Sequence, residues 1–383
     1  MIQITQLLFG AKREAPISSL SNRAILALTY FFYFGQLGIF VPYVGLFLDD
    51  RGFDSAQIGI LLAFVALSRI LGPNLWANVA DKSGKLGEVL RLGCLLAFIV
   101  FTAIFLVEDF WLLTLVFCLM TMFWTAVLPQ LEVTAVEASA DSKGGYGRLR
   151  LWGSIGFIAC SILVGALIDS FGVSIVIVAS CVTLGLLYMA SLFVVAPNAS
   201  LQQRESTNDW KQAFGLVFVL FLIANTLLQV SFGTYYNFFA LYMSDLGHSG
   251  VTTGIFIAIG VSAEVFIFIY AARLLKKFKV LNLLALSIFL TALRWLMLAY
   301  FPEQAWIIAL SQVLHALSFG LSHVASVYFL STHFSKQFQS RAQALYVSIA
   351  FGVGGAVGSY IAGIMWKQGA GAMDSFSFSA LVA

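Results

Sequence analysis

A chain of 383 residues that is 60% hydrophobic, 15% aromatic and only 10% charged cannot clothe a soluble surface, since an ordinary globular domain is about 25% charged. The formal net charge of +3 marks where the loops lie and gives no basis for a nucleic-acid partner. Cys94, Cys118, Cys160 and Cys181 all fall in apolar runs without metal or redox spacing, so they read as small buried hydrophobes and call for no disulfide, metal or cofactor.

A helix needs about 20 apolar residues to cross a hydrocarbon core of roughly 30 Å. Met1 to Ser21 are mixed and lack a small-residue cleavage site, so residues 1–23 read as a cytoplasmic N-terminal segment ahead of a retained first span. The apolar runs then follow as Ala24 to Phe47, Ile58 to Val79, Val89 to Val107, Phe110 to Val136, Leu151 to Ile168 and Val173 to Val195. After a polar stretch come Phe214 to Met243, Thr253 to Leu275, Leu281 to Tyr300, Trp306 to Leu330 and Ala342 to Trp366, which makes eleven complete spans. Beyond Lys367 to Asp374, only Ser375 to Ala383 remain. At about 1.5 Å per residue they reach less than half the bilayer, so a twelfth span is begun and not finished. The chain is expected to be shortened relative to a working protein, or its end is not a true span.

Threading these spans with the N-terminus inside puts 17 of the 21 basic residues in inner segments, among them Lys82, Lys85, Arg148, Arg273 and Lys276. Outer loops take Arg51 and Lys367, and Arg69 and Arg294 fall within spans. So lopsided a split is what the positive-inside rule demands of a correct topology. The longest polar stretch, Pro197 to Lys211, divides the chain into a six-helix half at 24–196, a cytoplasmic linker at 197–210 and a second half at 211–383. An internal repeat supports the division. Gly59, Ala63, Arg69 and Asp81 on the second span recur in spacing as Gly254, Ala258, Glu264 and Lys276 on the eighth. Arg69 and Glu264 are therefore expected at equal depths with opposite charges.

An ionisable side chain inside a span costs at least a few kcal/mol and is a functional hypothesis by default. Those inside the spans are Arg69, Glu132, Glu264, Arg294, His315 and His323, with Arg150 at the start of the fifth. At about 100° per residue, Arg148 and Arg150 point to nearly opposite faces, while Arg150 and Phe157 share one. His315 shares a face with Ser322 and stands within about 80° of His323. Mutually satisfied structural pairs, Glu132 with Arg150 and Glu264 with Arg294, are the competing reading. Gly352, Gly354, Gly355 and Gly358 read as a close helix approach. No zinc, serine-hydrolase, phosphate-loop or dinucleotide motif is present, so the chain does not read as an enzyme.

Ala77 to Lys85, with Asp81, Lys82, Gly84 and Lys85 in place and Ala77 at the leading glycine, resembles the loop motif of the major facilitator superfamily. Gly145 to Ser154 resembles the start of the fifth span in the proton-symporter branch that includes the lactose and phenylpropionate permeases. That resemblance implies an all-α membrane protein of the major facilitator fold, with two six-helix halves related by pseudo-two-fold symmetry and, here, an incomplete twelfth helix. It implies a monomeric secondary transporter of the bacterial inner membrane, moving a small molecule together with protons and needing no cofactor. The branch's substrate-binding positions fall on Glu132, Arg150 and the aromatic Phe157, and its proton-coupling positions on Glu264, Arg294 and His315, with His323 beside them. Asp81 would latch a gate. Ser318 and Tyr235-Tyr236-Asn237 stand where the lactose permease has acids, while Leu314-His315 with His323, Ala263-Glu264-Val265 and Leu293-Arg294-Trp295 look instead like the phenylpropionate permease; that resemblance implies an anionic aromatic substrate, held by Arg69 or Arg150 and stacked on Phe157 or Tyr236. A sugar or nucleoside remains the alternative, and a membrane sensor or intramembrane enzyme a distant one.

Overall fold

The computed structural model describes residues 19–140, 145–197 and 215–383. The N-terminal segment before Ser19 and the linker beyond Pro197 lie outside the described residues. In chain order the helices are α1 (Ser19–Asp50), α2 (Ser55–Ser83), α3 (Leu86–Thr102), α4 (Phe110–Thr125), α5 (Val127–Ala138), α6 (Gly145–Phe171), α7 (Ile175–Ser191) and α8 (Leu216–Ser231). They continue as α9 (Gly233–Asp245), α10 (Gly250–Lys277), α11 (Val280–Tyr300), α12 (Ala305–His315), α13 (Leu321–His333), α14 (Lys336–Tyr346), α15 (Gly355–Trp366) and α16 (Ala372–Val382).

Among the described residues, ten helical segments are long and apolar enough to cross a membrane. Eleven were expected, and the sixth is the exception. The apolar run from Val173 to Val195 yields only the 17 residues of α7. A turn after Gly172, at φ 82°, delays its start, and short turns at Phe193 and Val194 close it ahead of Pro197. The final helix, α16, has 11 residues.

Four spans break or widen within their length, which apolar content alone cannot reveal. The fourth breaks between α4 and α5 because Pro129 has no N–H and its ring crowds the Thr125 carbonyl. The seventh breaks at Phe232, between α8 and α9. The tenth and eleventh widen into π-helix at Ala316–Gly320 and Val347–Gly354, a distortion common at functional sites. Pro42 inside α1 similarly leaves the Gly38 carbonyl without its helical donor. The Ser161 hydroxyl of α6 shares its proton between that carbonyl, at 2.9 Å, and the Phe157 carbonyl of its own helix, at 2.8 Å, so the lost bond is partly replaced across helices.

The internal repeat is visible in backbone hydrogen bonds. After α1, Gly52 N–H donates to Asp49 and Phe53 N–H to Leu48; after α9, Gly247 N–H donates to Ser244 and His248 N–H to Met243. Both glycines hold the positive φ this helix stop needs, 85° and 79°. Asp54 then caps α2 through Gln57 N–H, and Ser249 caps α10 through Thr252 N–H. With both helices begun alike, Arg69 and Glu264 each stand fourteen residues past the first residue, at matching depth.

The same repeat builds the seam between the halves. A Cβ on Gly59 of α2 would lie 2.6 Å from Gly363 Cα on α15, and one on Gly254 of α10 would lie 2.7 Å from the Ser161 carbonyl on α6. Only glycine admits backbones that close. Beside these crossings, Asp169 accepts from Gly250 N–H at 2.6 Å and Val251 N–H at 3.0 Å, setting a carboxylate of one half at the positive end of a helix in the other. Ser55 Oγ accepts from Gln368 N–H at 2.9 Å. These joins all lie toward the end of the bundle that carries Asp50, Phe171 and Trp366, where the two halves are sealed together. Gly354 and Gly358 meet α8 in backbone contacts at Thr226 and Val230, as the small-residue run on the eleventh span predicts.

Candidate transport site

Three groups of polar side chains face the space between the halves. In the first half, Glu132 of α5 and Arg150 of α6 approach to 3.7 Å and keep 29% and 37% of their side-chain surface. The Tyr146 hydroxyl, one turn ahead of Arg150, donates to the second Glu132 oxygen. Arg150 spreads its guanidinium over Phe34 of α1 with Cζ 3.9 Å from the ring centre, a cation–π contact. Phe34 is therefore the aromatic partner of Arg150, and spacing along α6 could not find it because it comes from another helix. Phe157, two turns further along α6, lines the cavity described below.

In the second half, His315 of α12 is the centre of a buried chain. Its Nε2 lies 2.8 Å from Glu264 Oε1 of α10, and its Nδ1 lies 2.8 Å from Arg294 Nη1 of α11. Arginine only donates, so Nδ1 is the unprotonated nitrogen and the single ring proton sits on Nε2, directed at the Glu264 carboxylate. Glu264 and Arg294, considered as a direct pair on sequence, are thus joined through an imidazole. Arg294 is fully buried, with Cζ 4.1 Å from the Tyr235 ring centre and 4.5 Å from that of Trp295.

The π-helix after His315 changes the face of the tenth span. His315, Phe319 and His323 stack in series, with ring centres 5.4 and 6.3 Å apart and planes nearly parallel. The wider turn carries an extra residue, so His323 follows His315, and Ser322, expected there for a regular helix, is turned away and buried. His323 Nδ1 is buried without a hydrogen-bond partner.

Between the two groups stands Arg69 of α2, within electrostatic reach of Tyr33 of α1 and Tyr236 of α9. Its Nε is buried without a hydrogen-bond partner. The ion pairs among the described residues are Lys85 with Glu88, Arg150 with Glu132, and His315 with Glu264, and Arg69 belongs to none. A cavity is lined by Pro42 and Phe157 from the first half and by Tyr235, Tyr236, Phe239 and His315 from the second, and Tyr236 is the wall residue within electrostatic reach of Arg69. Phe157 and Tyr236 thus share a wall with the buried histidine, while Glu132 and Arg150 stand outside this cavity.

The loop motif is described in part. Gly84 holds φ 67°, Lys85 pairs with Glu88 at 2.9 Å, and Lys82 is exposed at the end of α2. The Asp81 side chain lies outside the described residues.

Residues 24–378 match the model of the MFS_1 like family. The probable 3-phenylpropionic acid transporter of Escherichia coli (strain K12) is 30% identical over 348 residues, covering 89% of this chain and 90% of that protein. The maltose permease of Geobacillus stearothermophilus is 27% identical over 365 residues, covering 91% and 90%. Among solved structures, a variant of the nucleoside transporter NupG superposes with a TM-score of 0.83 at 18% identity, covering 94% of this chain and 96% of that one. With its helices, seam and central cavity in this arrangement, the chain belongs to the MFS_1 like family and is a multi-pass membrane transporter of the major facilitator superfamily.

Proposed function

We propose that the protein is a proton-coupled symporter of a small aromatic carboxylate such as 3-phenylpropionate, acting by alternating access as a monomer in a bacterial inner membrane with its N-terminus cytoplasmic. One observation carries the substrate class. Arg69 is a cation within a span whose Nε has no partner and which has no carboxylate within ion-pair distance among the described residues, and it lies within electrostatic reach of Tyr236, which walls a cavity with Phe157 and Phe239. A half-buried charge within a span and without a counter-ion is costly, and a substrate carboxylate would supply that counter-ion while its ring stacks on the aromatic wall. The 30% identical relative carries 3-phenylpropionic acid in its name, which supports the same class.

The proton would be carried by Glu264. While Glu264 is ionised, the His315 Nε2 proton satisfies it; once it is protonated, that bond loses its charge assistance and His315 is released toward Arg294 and the cavity. Binding and proton loading then act on one histidine that touches both. Asp81 and its loop would latch the gate at the inner end of α2.

A sugar or nucleoside is the second reading, favoured by the Glu132, Arg150, Tyr146 and Phe34 group, which offers an acceptor, donors and a ring to a hydroxylated ligand. Uptake into vesicles separates the two. An inside-alkaline gradient is expected to drive accumulation of 3-phenylpropionate and not of a galactoside, with a protonophore abolishing it. Uptake indifferent to the collapsed gradient would end the symport reading, and galactoside accumulation would end the carboxylate one.

A further inference from the structure

We propose that Gln312 is the positioning residue through which occupancy of the cavity reaches the His315–Glu264 pair, because the Tyr235 hydroxyl and the Arg294 guanidinium share its one side-chain oxygen. The inference rests on the proton-symport reading above. Gln312 is fully buried on α12, one turn before His315. Its Oε1 accepts from the Tyr235 hydroxyl at 2.7 Å, a full hydrogen bond, and from Arg294 Nη2 at 3.5 Å, the outer limit of one. Its Nε2 donates to Ser311 Oγ at 3.2 Å. Arg294 offers only donors, so the amide must turn its oxygen toward it.

The guanidinium is therefore held tightly at His315 Nδ1, at 2.8 Å, and loosely at Gln312. Tyr235 decides between the two, because its ring lines the cavity and also lies 4.1 Å from Arg294 Cζ. A ligand ring entering the cavity must move the Tyr235 ring, which draws the hydroxyl off Gln312. The freed oxygen then accepts fully from Arg294, and the short bond passes from His315 to Gln312. His315 Nδ1 loses its donor, and the Glu264 pair loses one of the two bonds that fix its imidazole. The charged and titratable groups around Arg294 are Tyr235 and Tyr236 of α9, Glu264 of α10 and His315 of α12. Tyr235 alone of these also bonds Gln312.

The test uses the full chain in proteoliposomes with 3-phenylpropionate, and with a galactoside should phenylpropionate not exchange. Gradient-driven accumulation and counterflow of preloaded substrate are measured side by side. In Gln312→Met, accumulation is expected to fall at least about 10-fold relative to counterflow, in the range typical of a coupling free energy between sites. Tyr235→Phe keeps the ring over Arg294 and removes the hydroxyl, and the same fall in the ratio is expected. A merely structural lesion lowers both activities together and leaves their ratio alone. An unchanged ratio in either variant overturns the role of Gln312, and Tyr235→Phe decides alone should Gln312→Met not fold. An unmodified protein that exchanges without accumulating overturns symport itself and this inference with it, as does exchange of neither probe.

Discussion

Glu132 and Arg150 keep 29% and 37% of their side-chain surface and stand 3.7 Å apart, whereas Glu264 and His315 keep 13% and 8% and stand 2.8 Å apart. The two acid–base groups belong one to each half, and they differ in how much water reaches them. An exposed pair is worth at most ~1 kcal/mol and rearranges freely around a ligand. Removing one partner of a buried pair strands a charge at a cost of ~3–5 kcal/mol, so such a pair changes only when a proton or another charge moves with it. That contrast favours a coupling role for the second group and an accommodating role for the first.

The largest expected effect follows from removing the buried charge. Glu264→Gln keeps the shape and a hydrogen-bond acceptor for His315 but takes away the titrating group. Accumulation against a gradient is expected to fall by more than ~100-fold, the scale of a ~3 kcal/mol loss, while counterflow of preloaded substrate persists. Should Glu264→Gln accumulate substrate as the unmodified protein does, the proton site lies elsewhere and the contrast between the groups loses its meaning.

Next in size is the cation between them. Arg69→Gln removes the charge proposed to meet the substrate carboxylate, where a charge-assisted hydrogen bond would contribute ~1.5–3 kcal/mol, or roughly a 10- to 150-fold rise in the KM for 3-phenylpropionate. The neutral amide of the same acid, measured as a competitor, should be unaffected. Equal weakening of acid and amide would make Arg69 structural.

How much of this was legible in the sequence depends on whether a feature is local to one helix. Span positions followed from apolar length, and the repeat from Gly59 and Gly254, which do form the crossings with Gly363 and Ser161. Pairings across helices did not follow. Phe34 lies beneath Arg150 from another helix, and His315 stands between Glu264 and Arg294, because face arithmetic at about 100° per residue describes one regular helix at a time. Even within a helix the arithmetic fails where the winding changes. The π turn at Ala316–Gly320 replaced Ser322 with His323 beneath His315, and nothing in Ala316 to Gly320 announces it. Pro129 and Pro42 have the chemistry of breakers, yet a reading by apolar length runs straight through both, and the Ser161 hydroxyl that reaches the Gly38 carbonyl comes from another helix.

The smallest expected effect is the one that tells the two substrate readings apart. Arg150→Lys preserves the positive charge and gives up both the planar face over Phe34 and the geometry of the Glu132 contact. For a carboxylate held at Arg69, that pair is peripheral and water-screened, so the KM for 3-phenylpropionate is expected to change less than about 5-fold, consistent with a surface pair worth under ~1 kcal/mol. For a hydroxylated ligand held between Glu132 and Arg150, the same variant removes the directional donors that discriminate one hydroxyl pattern from another, and losses of order 100-fold or more are expected. Uptake by Arg150→Lys across a series of acids and sugars therefore reads out which half binds the solute. A large loss for the acid would move the substrate site from the central cavity to the first-half group, and would leave Arg69 as a cation whose purpose lies in gating.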